Sequence, residues 1–311
     1  MLPPLVQKYN SSQGRLERQG WGASYPAGGS LEHTAAAKRW SLFGFLPLIT
    51  LASLDCTSSS AAQAAESCPK RQPMRRSFVM AANIATTAAV RPTVIFLHGS
   101  GDTGRGVEGW LRSLAPPDAL APFDWEFPTA EPIPYALAGG QVSSVWYDRV
   151  GGFEPHHPEQ TATVERSAAR ILALIDAAVK RGVPPAKIAV GGFSMGGNLA
   201  YQTAARYHAV PGREPLGAVV GLSCYTTNDS RAHALLKGTG DRWPETYVAH
   251  GSGDDFILPA WGSATYEALR AAGVGASFRH FSGAHEMTAP EIADVLAFLR
   301  RRLLGGGETC A

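Results

Sequence analysis

From residue 91 onward, the chain alternates short apolar runs rich in β-branched residues with longer segments of helical periodicity. Runs such as TVIFL and TYVAHG have the length of buried strands, whereas TATVERSAARILALIDAAVKRG places its apolar residues on one helical face. Strands that alternate with helices in this way form a largely parallel sheet covered by helices on both faces. The sequence therefore predicts an α/β fold in one domain at residues 91–304, followed by a flexible tail at residues 305–311.

The other elements of this domain are predicted by the same reasoning. Further strands are expected at FDWEFP, KIAVGG, LGAVVGLS and ASFRHF, and further helices at MGGNLAYQTAARYHA, AWGSATYEALRAAG and APEIADVLAFLRRRLL. The sequence contains no internal repeat.

The leader, residues 1–90, differs from this domain in charge, because its first 80 residues hold nine basic and four acidic side chains. Its segment KRWSLFGFLPLITLASLDC resembles a secretory signal core but begins near residue 40, and the Ser/Ala-rich surroundings also suit an organellar transit peptide. The third interpretation is a disordered extension, or untranslated sequence before a later start at Met74 or Met80. We expect a cytoplasmic protein, with organellar targeting by the leader left open.

Charge and residue spacing argue against several classes of function. A formal net charge of +2 provides no electrostatic footprint for nucleic acid, and no run reaches the length of about 18 apolar residues that a membrane span needs. The four cysteines show no metal-ligand spacing, and the stretch HEMTA has Ala289 where a zinc motif would need histidine. We therefore predict no metal site, no nucleic-acid partner and no transmembrane segment.

The stretch VIFLHGSGDTGRG has two interpretations. Three of its glycines fit the dinucleotide pattern G-x-G-x-x-G: Gly99, Gly101 and Gly104. Asp124 and Glu126 follow about 20 residues later, where the ribose carboxylate of that fold is expected. The helix that this motif requires would, however, be short and interrupted by Gly106. The alternative is a loop whose backbone N–H groups bind an oxyanion.

The pentapeptide GFSMG, with Ser194 at its centre, matches the nucleophile motif G-x-S-x-G. A predicted strand precedes it and a predicted helix follows it, as a nucleophile elbow requires. Gly192 and Gly196 permit the tight turn, and the helix N-terminus favours developing negative charge. We therefore predict that Ser194 is a nucleophile rather than an ordinary serine in a glycine-rich turn.

In this fold class the acid and the histidine follow the serine in that order. His280 falls inside the predicted strand ASFRHF, whereas His285 lies in a loop beyond its end and is free to reach over the sheet. His285 is therefore the predicted base. Asp254 and Asp255 both follow the strand TYVAHG, and the position of the strand end does not separate them.

A tetrahedral oxyanion needs preorganised donors. The backbone N–H of Met195, directly after the nucleophile, is one candidate, and the N–H of Ser100 in the HGSG loop is the other. A dinucleotide site would leave Ser194 and His285 unexplained, so an oxyanion loop is the preferred interpretation of this stretch.

Five stretches in this order, VIFLHGSGDTG, VWYD, GGFSMGG, HGSGDD and GAHEM, resemble the acyl-protein thioesterase and lysophospholipase family. The likeness covers about residues 91–303 and is strongest to the lysophospholipase-like branch. It implies an α/β-hydrolase fold and the cleavage of carboxylic esters or thioesters without a metal or a cofactor. Acylated proteins, lysolipids and small esters are the implied substrates, and the sequence leaves the choice among them open.

The resemblance also implies roles for individual residues. In the family the acid stands four residues after the histidine that begins the stretch HGSGDD, and this spacing selects Asp254 over Asp255. The WYD triplet, Trp146 to Asp148, resembles a segment beside the acyl site, so Trp146 is a candidate substrate-binding residue, with core packing as the alternative. Met195 stands where many members have glutamine and is similar to the lysophospholipase-like branch.

A protein of another class would keep the same residues, namely a ligand-binding protein in which the three side chains serve recognition. Nothing in the sequence disables catalysis, so the enzyme is the preferred hypothesis. Covalent labelling of Ser194 by a fluorophosphonate distinguishes the two.

Overall fold

The computed structural model describes residues 90–237 and 242–305, together with the backbone of residues 9–10 and 15–16. The two short segments form an antiparallel pair, β1 (Tyr9–Asn10) and β2 (Arg15–Leu16). Apart from these segments and residues 90 and 305, the leader and the tail lie outside the described residues, and so do the predictions made for them.

The domain contains eight further strands and six α-helices within the described residues. The strands are β3 (Thr93–Leu97), β4 (Asp124–Glu126), β5 (Pro132–Tyr135), β6 (Gln141–Ser144), β7 (Ile188–Phe193), β8 (Ala218–Leu222), β9 (Thr246–Gly251) and β10 (Ala276–Phe281). The helices are α1 (Gly104–Leu114), α2 (Thr161–Lys180), α3 (Met195–Ala209), α4 (Arg231–Leu236), α5 (Pro259–Ala271) and α6 (Ala289–Arg300).

Six of the strands form one parallel sheet in the order β10-β9-β8-β7-β3-β4, and β5 and β6 form a separate antiparallel hairpin. Strands β3, β7, β8 and β9 are buried along their whole length, since helices cover both faces of the sheet. Ile171 of α2 and Leu199 of α3 belong to the core on one face, and Leu111 of α1 and Val295 of α6 belong to the core on the other. The predicted α/β fold with a mostly parallel sheet is confirmed.

Several predicted elements have the bounds that the sequence indicates. TVIFL, TYVAHG and ASFRHF are strands β3, β9 and β10, and MGGNLAYQTAARYHA is helix α3. The closing helix is shorter than predicted, because α6 ends at Arg300 and the chain continues as a wider π-type turn at Arg301–Gly305.

The expectation that Gly106 interrupts the helix after the HGSG loop is wrong. Helix α1 runs through this residue for 11 residues, because Thr103 at its N-cap accepts the N–H of Gly106 through its side-chain oxygen at 3.0 Å. Gly106 therefore lies in the first turn, where the cap satisfies a backbone donor that has no partner within the helix.

The β5–β6 hairpin was not predicted from the sequence. Pro132 and Pro134 fall within β5, where proline is tolerated because the strand pairs on one side only. Gly139 and Gly140 adopt φ values of 65° and 81° in the connection, a backbone region that favours glycine.

Candidate active site

Ser194 occupies a sharp turn between the end of β7 and the first residue of α3, with φ 54° and ψ −119°. Its N–H donates to the carbonyl oxygen of Leu222 in β8 at 2.8 Å. Gly192 and Gly196 approach the backbone of β3 so closely that a Cβ on either would lie 2.7 Å or 2.3 Å from the carbonyl oxygen of Leu97. The turn is therefore fixed between the strands on both sides of β7.

The loop after β10 brings His285 to this turn. The Nε2 atom of His285 lies 2.9 Å from the hydroxyl oxygen of Ser194, and its Nδ1 atom lies 2.8 Å from Oδ2 of Asp254. The rings of Phe193 and Phe256 pack on the imidazole, with centroids 4.8 Å and 5.2 Å away. The structure thus brings together the three side chains that the sequence predicts as nucleophile, base and acid.

Asp254 is a buried carboxylate surrounded by donors. Its Oδ1 accepts the N–H groups of Phe256 at 3.1 Å and Ile257 at 2.9 Å. Burial opposes ionisation, but the hydrogen bonds from His250, His285 and the Ile257 N–H outweigh it and hold the pKa of this carboxyl well below its usual range. The group is therefore ionised at neutral pH.

The neighbouring Asp255 is exposed, whereas Asp254 points to the imidazole of His285. The position of the strand end does not distinguish the two aspartates. The one that contacts His285 is Asp254, which is also the one that the family spacing implies. His280, which lies in β10 as predicted, is exposed, and no hydrogen bond joins it to this group within the described residues.

The HGSG loop after β3 is anchored by a buried histidine. His98 donates from Nδ1 to the carbonyl oxygen of Gly99 at 2.6 Å and accepts the N–H of Ala130 at Nε2 at 3.0 Å. Burial lowers the pKa of His98, so that its ring is the neutral imidazole that this pattern requires. A second contact holds the loop further along, where Gly101 N–H donates to Ser144 O in the hairpin at 2.9 Å.

The two predicted oxyanion donors belong to the residue after Ser194 and to the HGSG loop, whose Gly99 packs against Ser194. Met195 is the first residue of α3, so its N–H has no acceptor within the helix. Ser100 follows Gly99, where an added Cβ would lie 3.6 Å from Cβ of Ser194. Among residues 90–237 and 242–305, neither N–H donates to a backbone carbonyl.

Trp146 lies beneath this loop in the core, with 1% of its surface exposed. Its indole N–H donates to the carbonyl oxygen of His98 at 2.9 Å, and its backbone N–H donates to the sulfur of Met195 at 3.3 Å. Of the two alternatives for this residue, the structure therefore shows core packing, and the contacts give it a second role as a support for the HGSG loop and for the residue after Ser194. Asp148 accepts the N–H of Ala136 at 2.8 Å and so braces the hairpin.

Two further groups near the site were not predicted. His250, one residue before the end of β9, lies with Nε2 3.3 Å from Oδ2 of Asp254. Arg149 is buried, donates to the hydroxyls of Tyr147 and Tyr225, and lies over both rings. A single histidine or arginine in a sequence carries no periodic signal. His98 and His250 do share one trait, because each is followed by a glycine at the C-terminal end of a strand: Gly99 just after β3 and Gly251 as the last residue of β9.

Within the described ranges, no group of three or more His, Cys, Asp or Glu side chains is placed to hold a metal ion. Among the described residues, no helix has both the length and the hydropathy of a membrane span.

A parallel sheet covered on both faces, with a serine on the sharp turn after a central strand, defines an α/β-hydrolase. Residues 80–303 match the family described as Phospholipase/Carboxylesterase. The chain belongs to this family of ester hydrolases, which confirms the family resemblance and the prediction of an ester or thioester hydrolase.

Two curated relatives carry more specific names. The chain is similar to mouse lysophospholipase-like protein 1, with 31% identity over 224 residues that cover 71% of this chain and 91% of that protein. It is also similar to acyl-protein thioesterase 1 homolog 2 of Dictyostelium discoideum, with 30% identity over 182 residues, 58% of this chain and 78% of the relative.

Solved structures show the same fold. Acyl-protein thioesterase 2 of Zea mays superposes with a TM-score of 0.55 at 27% identity, covering 68% of this chain and 94% of that one. SOBER1 of Arabidopsis thaliana superposes with a TM-score of 0.60 at 24% identity, covering 69% of this chain and all of the other. At this identity, the likeness to SOBER1 concerns the fold alone.

Proposed function

We propose that this protein hydrolyses carboxylic esters or thioesters of acyl groups through Ser194, His285 and Asp254. The observation that carries the proposal is the continuous chain of contacts from Ser194 Oγ to His285 Nε2 at 2.9 Å and from His285 Nδ1 to Asp254 Oδ2 at 2.8 Å. A serine hydroxyl is a weak nucleophile at neutral pH, and an adjacent general base held by a third group is the arrangement that activates it.

In the first half-reaction, Ser194 Oγ attacks the acyl carbonyl carbon as its proton passes to His285 Nε2. The carbonyl oxygen becomes an oxyanion, which the N–H groups of Ser100 and Met195 stabilise. Collapse of this intermediate expels the alcohol or thiol, which takes its proton from His285, and leaves an acyl group on Ser194. Water, activated by His285, then releases the carboxylic acid and restores the serine.

Asp254 supports this cycle electrostatically. Its carboxylate accepts a hydrogen bond from the Nδ1–H of His285, which leaves Nε2 unprotonated and able to take the proton from Ser194. Because the carboxylate is buried and held by the N–H groups of Phe256 and Ile257, its negative charge faces the imidazole at a fixed distance and stabilises the imidazolium that forms.

The oxyanion donors are supported by the scaffold around them. His98 and Trp146 fix the HGSG loop, and the start of α3 fixes Met195. Preorganised donors act without reorganising during the reaction, and the loss of one such donor costs about 10²- to 10³-fold in kcat in comparable sites. We expect the same range here.

For the substrate, we propose an acyl ester or thioester whose source is an acylated protein, a lysolipid or a small ester. The names of the mouse and Dictyostelium relatives, a lysophospholipase-like protein and an acyl-protein thioesterase, support this range. We further propose that residues 91–304 are the catalytic domain and that the leader and residues 305–311 supply no group to the reaction.

The proposal is tested with Ser194→Ala and a p-nitrophenyl ester of a short acyl chain. We expect kcat to fall by several orders of magnitude, on the order of 10⁶-fold if the three side chains act as a unit. Ser252→Ala is the matched control, because Ser252 is exposed in the loop after β9 and should leave kcat unchanged. Hydrolysis by Ser194→Ala at the rate of the wild type would exclude the proposed nucleophile.

A further inference from the structure

We propose that His250 is a positioning residue whose Nε2 proton is shared between Oδ2 of Asp254 and the carbonyl oxygen of Ile257. Through this contact it sets the basicity of the Asp254–His285 pair. This inference rests on the proposed function of Asp254 and His285, and it assigns a role to a side chain that does not reach Ser194.

The contacts of His250 define where its proton lies. The ring is fully buried, and its Nε2 atom lies 2.8 Å from the carbonyl oxygen of Ile257 and 3.3 Å from Oδ2 of Asp254. Both neighbours are acceptors, so Nε2 must carry the proton that they share. The imidazole thus joins the two ends of the turn at residues 254–257.

The opposite edge of the ring is closed off. Nδ1 of His250 is buried and has no hydrogen-bond partner among the described residues. Gly262 of α5 packs on this edge, and a Cβ at residue 262 would lie 2.4 Å from Nδ1. A proton on Nδ1 would therefore be buried without an acceptor, which is costly, and the Nε2–H tautomer is the one that the site accommodates.

His250 acts on the carboxylate oxygen that His285 uses. Oδ2 of Asp254 faces Nδ1 of His285 at 2.8 Å and Nε2 of His250 at 3.3 Å, while Oδ1 is held by two backbone N–H groups. A second donor on Oδ2 draws charge away from the bond to His285 and fixes the plane of the carboxylate. Without that donor, Oδ2 stabilises the protonated imidazole of His285 more strongly.

The other charged groups of the surrounding elements are few. Asp255 follows Asp254 on the same turn, and Glu286 and Glu291 lie in the loop and the helix that follow His285. None of them is altered by a change at residue 250, so a shift in the pH profile of a His250 variant reports on the contact between His250 and Asp254.

The tautomer can be measured in the wild-type protein by ¹⁵N NMR of the histidine rings. We expect His250 to carry its proton on Nε2 and to have a bare Nδ1. A proton on Nδ1 instead would leave no donor toward Asp254 and would overturn the proposal, whatever the variants of Ser194 show. This result is therefore independent of the proposed hydrolase activity.

The role is tested with His250→Phe, which keeps a ring but removes the donor, and His250→Gln, whose amide can donate from the place of Nε2. For the phenylalanine variant we expect kcat/KM to fall about 10- to 100-fold and the midpoint of the acidic limb of its pH profile to rise by about half a pH unit. The glutamine variant should recover most of the rate and return the midpoint toward that of the wild type.

His208→Phe is the matched control. His208 is also buried, bonded at 2.8 Å to the carbonyl oxygen of Ala204 and at 3.2 Å to the N–H of Leu216, and it makes no contact with Asp254. It should lose stability without moving the midpoint. If both phenylalanine variants lose stability and rate with unchanged midpoints, or if glutamine fails to restore the profile, His250 is a core residue only and the proposal is wrong.

Discussion

Gly196 packs directly on the carbonyl oxygen of Leu97, where a Cβ at residue 196 would lie 2.3 Å from that oxygen. Leu97 ends β3 immediately before the HGSG loop, and Gly196 lies in the first turn of α3 after Ser194. This single contact therefore sets the distance between the loop that supplies one oxyanion donor and the turn that supplies the nucleophile and the other donor.

We predict that Gly196→Ala lowers the free energy of unfolding by about 1–3 kcal/mol and lowers kcat, because the methyl group forces the helix away from β3. Urea unfolding and ester hydrolysis measure the two effects. Gly109→Ala is the control: this glycine is exposed in α1, with nothing within 4 Å of an added Cβ. Alanine there should stabilise the protein by about 0.5–1 kcal/mol. A Gly196→Ala variant as stable and active as the wild type would contradict the tight contact.

Trp146→Phe tests the support of the oxyanion loop. The change keeps a ring in the core but removes the indole N–H that donates to His98 O at 2.9 Å. We predict a fall in kcat of up to about tenfold with a smaller change in KM, because one hydrogen bond of this kind contributes about 0.5–1.5 kcal/mol. Steady-state kinetics with a short-chain ester measures both parameters.

Trp125→Phe provides the comparison for that experiment. The indole N–H of Trp125 donates to Leu120 O at 3.0 Å, a bond of the same kind at the edge strand β4. This variant should lose stability and keep its kcat. Equal falls in kcat for the two variants would mean that Trp146 affects activity only through the general packing of the protein.

Glu291 is a buried carboxyl at the start of α6, with 1% of its surface exposed. Burial raises its pKa, the N–H of Thr288 lowers it and the charge of Glu286 raises it, which together bring it to about 7. Because of this raised pKa, the carboxyl of Glu291 ionises at a lower pH in the unfolded chain than in the folded protein. The free energy of unfolding therefore falls as the pH rises from about 4.5 to 7, and this group lowers it no further above pH 7.

We predict that Glu291→Gln removes this loss, because glutamine can also serve in the capping box and carries no charge. The free energy of unfolding of the variant should match that of the wild type near pH 4.5 and exceed it near pH 7, by roughly 3 kcal/mol at most. Glu267→Gln, at an exposed position of α5, should follow the wild type throughout. A constant difference between Glu291→Gln and the wild type across this pH range would refute the assignment.

Much of the fold follows from local sequence signals. The strands β3 and β9 and the helix α3 have the predicted bounds, since each is a uniform apolar or helical segment between clear breaks. Helix α1 and the hairpin β5–β6 escaped prediction for a different reason. A side-chain cap carries α1 past a glycine, and two prolines in β5 indicate a loop unless the partner strand is known.

The residues of the candidate site also fall into two groups, those that sequence motifs predict and those that only the structure reveals. Ser194 and His285 stand out in the sequence because each follows the end of a strand in a distinctive motif. The choice of Asp254 depended on a resemblance, because two adjacent aspartates look alike in the sequence and only the structure shows that Asp254 is buried against the histidine whereas Asp255 is exposed. His250 and Trp146 act through contacts across 4 and 48 positions of the chain, which no pattern of residue types reveals.

The central claim is that Ser194 is activated by His285 and Asp254. The most direct measurement is the rate at which a fluorophosphonate labels the wild-type protein and the Asp254→Asn variant, with the modified residue identified by peptide mass spectrometry. We predict a single adduct on Ser194, formed roughly 10⁴-fold more slowly in the variant because asparagine favours the wrong imidazole tautomer. A folded wild-type protein that is not labelled at Ser194, or a variant labelled at the same rate, would contradict the claim.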